Sequence, residues 1–188
     1  MKQRSSLDRD LVHAITSLPL DIERLAEILE AGADLNAIVV DAGRDLSVLH
    51  YACLYGRTQA VQLLLDRGAE INARDGSDAS PLRVACEYGH TELVEALLER
   101  GTDVNTRDNF HGQTPLHWAC ICAWPETARF LLSHGADPSV PDHGGWTPLR
   151  HAMDLDGDSS CREEIIDLFR QYAPEQVMEA YCTRGPQL

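Results

Sequence analysis

The sequence predicts an all-α solenoid: stacked helix–turn–helix units, about five copies including degenerate ends. Three observations predict it. The phrases SVLHYA, SPLRVA, TPLHWA and TPLRHA begin at 47, 80, 114 and 147, so the chain repeats itself every 33 or 34 residues. A stretch with helical apolar spacing follows each phrase, as with Leu93, Val94, Leu97 and Leu98 in TELVEALLERG. Gly32, Gly68, Gly101 and Gly135 close such stretches, where a left-handed residue ends a helix. One helix pair cannot bury its apolar stripe alone, whereas stacked pairs bury a continuous core.

Within a copy each element has a local cause. Thr114 caps the first helix, and Pro115 occupies its first position, where a missing N–H costs little. Leu116 and Ala119 share one face. Gly56 and Gly89 turn the chain into the second helix. The copies run approximately over 7–40, 41–74, 75–107, 108–141 and 142–173, with a C-terminal cap at 174–188, all within a single domain 1–188. End copies have one face without a neighbour and should depart from the pattern. The first has SLPLD in place of the glycine turn; the last carries the insertion DLDGDSSCRE, and PEQVMEAY follows as a candidate terminal helix.

The T-P-L-H-x-A phrase, the turn glycines, the Gly-Ala pairs and the in-phase Asn36, Asn72 and Asn105 together resemble the ankyrin repeat over roughly residues 7–172. The resemblance implies that His50 and His117 hold loops through hydrogen bonds, rather than acting chemically. It also implies β-hairpin-like loops between the helix pairs, and protein binding through loop tips and the exposed ends of first helices, which together form a concave face. On this sequence the helix-end pairs are Leu54 and Tyr55, Glu87 and Tyr88, Ile121 and Cys122, and Asp154 and Leu155. The loop tips present Asp78, Phe110, His111, Gln113, His143 and Trp146, with Trp124 near the edge of the face. Aromatic residues ringed by charge are the composition of interface hot spots, with loop-on-loop packing as the alternative for Phe110 and Trp146.

Charge narrows the partner. Thirty acidic residues against sixteen basic ones give a net charge of −14. Such a surface repels nucleic-acid backbones and anionic lipid, and steers a basic protein toward itself. No apolar run is long enough to span a bilayer, and the start, MKQRSSLDRD, has no apolar signal core, so a soluble cytoplasmic protein is expected. Cys53, Cys86 and Cys120 recur in one core slot, the pattern of reduced rather than bridged cysteine. No His/Cys spacing fits zinc. Asp154, Asp156 and Asp158 alternate like a calcium loop, but Ser159 and Ile165 stand where that loop needs Gly and Glu. No phosphate-cradling loop or nucleophile elbow is present, so neither enzyme activity, cofactor nor small-molecule substrate is expected.

Two departures stand out. Copy four has Ala123, Trp124 and Pro125 where the pattern wants a glycine turn, so either the turn changes type or alanine is held left-handed at a cost of roughly 1 kcal/mol. The loop around 38–45 is longer than its counterparts and carries Ile38, Val39 and Val40, which must pack or bind. With catalysis set aside, the expected activity is occlusion of a toxin or enzyme by a stand-alone inhibitor or immunity-type protein. The alternative is an adaptor or secreted effector that recruits a host protein.

Overall fold

Each copy of the phrase folds as a pair of helices, and the caps explain where each begins. In the computed structural model, which describes residues 6–41, 44–154, 159–175 and 177, the pairs are α1 (Ser6–Thr16) with α2 (Ile22–Glu30), α3 (Val48–Leu54) with α4 (Thr58–Asp66), α5 (Pro81–Glu87) with α6 (Thr91–Glu99), α7 (Pro115–Ile121) with α8 (Pro125–Ser133), and α9 (Pro148–Met153) with α10 (Ser159–Tyr172). Ser47, Ser80 and Thr147 accept from the backbone N–H three residues on, the geometry that satisfies an orphan donor at a helix start. At α7 the backbone N–H of Thr114 donates to His117 Nδ1 at 3.0 Å.

The chain forms two compact units. One is built from residues up to Ala85 together with Glu92–Thr102, the other from Cys86–Thr91 together with residues from Asp103 onward. In the first unit α1 packs on α2 and α3, and α3 and α2 both pack on α4. Leu11, Ile15, Leu25, Leu49, Leu64, Leu82, Leu93 and Leu97 are fully buried there. In the second unit α7 packs on α8 and α9, and α10 on α8 and α9, around Leu116, Leu131, Leu149, Ile165 and Phe169. Each such side chain contributes about 1.5–3 kcal/mol through loss of apolar contact with water.

The loops are tied copy to copy by the residues that recur. Asn36 Oδ1 accepts from Glu70 N at 3.2 Å, and Asn105 Oδ1 accepts from Asp137 N at 2.8 Å. His50 Nε2 lies 2.9 Å from the Ala79 carbonyl, and His117 Nε2 lies 3.0 Å from that of Trp146. Because His117 Nδ1 accepts from Thr114 N–H, its proton sits on Nε2 and is donated to Trp146. The structural role that the resemblance implied for both histidines is met.

The segment expected as a long loop around 38–45 is instead a hairpin. Strands β1 (Ile38–Asp41) and β2 (Arg44–Ser47) pair antiparallel, with Val39 opposite Leu46. Both of those side chains are buried, while Ile38, one position away on the alternate face, is exposed. The apolar run therefore packs in part; the side chain of Val40 lies outside the described residues. Gly76 N–H donates to the Asp45 carbonyl at 3.0 Å, which ties β2 to the next loop of the same unit. In the tail, residues 174, 175 and 177 are helical, and the rest of the expected terminal helix is outside the described residues.

The turn of copy four does not change type. Ala123 has φ 57, beside 62 at Gly56 and 70 at Gly89. Its N–H reaches the Cys120 carbonyl and Trp124 N–H reaches that of Ala119, the bonds that Gly56 and Arg57 make to Cys53 and Ala52. Alanine thus sits in a left-handed conformation that a glycine would adopt without strain.

Candidate protein-binding surface

The turns after α3, α5 and α7 present two or three side chains that the core does not use. On the first unit Tyr55, at the end of α3, is 46% exposed, and Leu54 beside it is half-buried. Asp78 is half-buried at a loop tip with φ 59, and its carbonyl accepts from Arg74 at 2.9 Å.

The second unit brings together two groups. The first forms at the end of α5. Tyr88 is 38% exposed and stacks on His90 with ring centroids 6.4 Å apart. Trp124, 42% exposed, reaches back so that its indole N–H donates to the Glu87 carbonyl at 2.9 Å. A Cβ added at Gly89 would lie 2.4, 2.7 and 2.8 Å from Trp124 Cδ2, Cε2 and Cε3. Those distances put it above the ring-fusion atom, so one flat face of the indole lies on Gly89. Ile121 and Cys122, in the turn before Trp124, are half-buried.

The second group is made by two loop tips. Phe110 is 64% exposed, and His111 and His143 are exposed beside it. His143 N–H donates to the His111 carbonyl at 2.7 Å, and its Nδ1 lies 3.1 Å from the Phe110 carbonyl. Arg107 braces the pair, donating to the Gly112 and Pro141 carbonyls at 2.8 Å each. Phe110 is thus held on a fixed backbone with its ring in solvent.

Two expected surface residues turn inward. Gln113 is buried and donates to Asp142 Oδ2. Trp146 is half-buried against His151, centroids 5.2 Å apart, with the Arg150 guanidinium 5.4 Å above its ring. Packing, the alternative open for Trp146, is what this side chain does. The reason lies in Asp142. Burial raises its pKa, but donation from Trp146 N–H, His151, Gln113 and Gly144 N–H outweighs that and holds the carboxyl at about 2. Asp154 is exposed at the end of α9; Leu155, Asp156 and Asp158 lie outside the described residues.

Several contributors were not singled out from the sequence. Asp75, Asp108 and Asp142 recur at one loop position and accept backbone N–H groups within their own loops. Their 33- and 34-residue spacing was the signal available. Arg57 holds the slot that Trp124 fills in copy four, donating to the Ile15 and Ser17 carbonyls at 3.2 and 3.3 Å. Burial pushes the Cys53 and Cys120 thiols well above the ordinary range, which makes them unreactive core groups. Among the described residues no group of three or more His, Cys, Asp or Glu is placed to hold a metal, and no helix is long and apolar enough to cross a membrane.

Such an arrangement of side chains on repeated turns can grip another polypeptide. A family model described as ankyrin repeats (3 copies) matches residues 13–108 and 82–173. The chain belongs to the ankyrin-repeat family and is a protein–protein interaction module. It is 35% identical over 150 residues to human protein phosphatase 1 regulatory subunit 27, covering 80% of this chain and 70% of that protein. It is 45% identical over 109 residues to the Arabidopsis thaliana ADP-ribosylation factor GTPase-activating protein AGD4, covering 58% of this chain and 10% of that protein. Human transient receptor potential cation channel subfamily A member 1 shares 29% over 167 residues, 87% of this chain and 15% of the channel. The chain therefore spans a small part of the length of AGD4 and of the channel.

Proposed function

We propose that the chain acts by occupying a partner protein's surface, as an inhibitor or immunity-type protein that covers a toxin or enzyme. The observation that carries the proposal is the exposure of Tyr88, Phe110 and Trp124 on one unit, large rings that the core leaves in solvent. Tyr55 and Leu54 offer surface of the same kind on the first unit. The net charge of −14 supports a basic partner, and disfavours nucleic acid and anionic membrane. The relative that is by name a regulatory subunit of a phosphatase, and that the chain matches over most of its length, supports a regulatory role toward an enzyme. A cytoplasmic location belongs to the same proposal and rests on cysteines buried in repeated core slots.

Affinity capture from the native source, with mass spectrometry, tests this reading. Wild type runs beside a Tyr88→Ala/Phe110→Ala double variant at low and moderate salt. A partner held by wild type and lost by the variant supports the surface; equal retention by both overturns it. A second reading, an adaptor or secreted effector, is favoured by AGD4 and the channel, in which the matched stretch is a small part of a larger protein. The captured partner's activity separates the two: lost in the complex for an inhibitor, retained for an adaptor.

A further inference from the structure

We infer that the outward face of Trp124 is a seat for an arginine side chain presented by the partner protein. The inference rests on the binding surface proposed above and names what one part of it takes. The indole is locked before any partner arrives, one face on Gly89 and its N–H on the Glu87 carbonyl. Its 42% exposure is therefore carried by the opposite face and rim. A ring fixed in this way gives up little rotamer freedom on binding.

The electrostatics favour a cation there. The Glu87 carbonyl belongs to the last residue of α5, the end at which unpaired helix carbonyls concentrate negative potential. Glu126, two residues after Trp124, is already paired with Arg129 at 3.9 Å, so the wider contribution is that of the whole chain, which carries −14. In copy two the slot holds Arg57, whose guanidinium itself meets the helix-end carbonyls of Ile15 and Ser17. In copy four the slot residue supplies one indole N–H and no charge. Elsewhere in the same unit the chain already lays a guanidinium on an indole, Arg150 over Trp146 at 5.4 Å. Arginine fits better than lysine because its planar, weakly hydrated fork stacks on the ring while its edge still donates to carbonyl or carboxylate oxygens.

The probe is a phage-displayed library of random dodecapeptides selected on the full chain. Selected peptides are then synthesised with arginine or with neutral, isosteric citrulline, and titrated by calorimetry against wild type, Trp124→Phe and Trp124→Leu. The expected result is an arginine shared by the selected peptides, whose change to citrulline costs about tenfold in Kd on wild type. The loss should be smaller on Trp124→Phe and nearly absent on Trp124→Leu. Should Trp124→Leu fail the circular-dichroism check of its fold, the indole N–H resonance of wild-type Trp124 replaces it. That resonance must shift with the arginine peptide and not with the citrulline one. Selected peptides that need Tyr88, Phe110 or Trp124 but no arginine would overturn the seat and leave the binding surface standing. Selection of no peptide that depends on any of the three rings would overturn both.

Discussion

The turn position occupied by Gly89 in copy three and Ala123 in copy four should respond to exchange with opposite signs. Both residues are left-handed, with φ 70 and 57. Ala123→Gly relieves a strain of roughly 1–2 kcal/mol. It also frees the unfolded chain, which takes back about 0.5–1 kcal/mol. The net expectation is a stabilisation of about 0.5–1 kcal/mol. Gly89→Ala meets the same backbone strain and, in addition, a wall. Its Cβ would stand 2.4 Å from Trp124 Cδ2, so the indole must leave its seat. Displacement of a packed ring costs about 1–3 kcal/mol, and loss of the Trp124–Glu87 hydrogen bond about 1 more. Gly89→Ala should therefore destabilise by about 3–4 kcal/mol on wild type, but by only about 1 in a Trp124→Ala background, where the wall is gone. Urea titrations followed by circular dichroism, with slopes compared between variants, measure all four proteins of the cycle. A destabilising Ala123→Gly, or an equal cost of Gly89→Ala in both backgrounds, would refute the reasoning.

Burial holds His117 neutral, its pKa lowered from 6.5 to about 4, and the Trp146 carbonyl only partly offsets this. Between those values the unfolded chain binds the extra proton, so stability present above pH 6.5 is lost as the pH falls toward 4, by up to about 3 kcal/mol. His50 is shifted in the same direction, again by burial, and adds to the slope. Urea midpoints across that window check it, and His117→Gln should flatten the dependence. Leu116→Ala opens a cavity at a fully buried site and should cost about 2–5 kcal/mol in the same titrations. Tyr88→Ala should leave stability within about 0.5 kcal/mol of wild type while weakening a captured partner by about 2 kcal/mol in calorimetry.

Architecture was legible because it is written many times. The turn glycines, the capping residues and the loop-holding histidines each recur in phase, whereas the slot of Ala123 left two turn types open and its φ of 57 chose between them. What could not be read was set between copies. Trp124 lies on a glycine thirty-five positions earlier, and no pattern within one copy encodes that contact. Gln113 has the polarity of a loop tip, yet the hydrogen bonds collected by Asp142 draw it inside. Binding and packing were both open for Trp146, and its contacts with His151 and Arg150 decide for packing. Hairpin-like loops were expected between the helix pairs, but the pairing within 38–47 was not legible, because its strands are four residues each and its inward pair, Val39 and Leu46, is visible only once register is known.

The central claim is that repeated residues build the scaffold and the exposed turns and loop tips bind. Hydrogen–deuterium exchange of the chain, alone and with its captured partner, tests it most directly. Protection should appear at the turns 87–91 and 121–124 and at the loop tips 108–113 and 142–146, with the second helices α6 and α8 unchanged. Protection centred on α6 and α8, with those turns and tips exchanging as in the isolated chain, would contradict it.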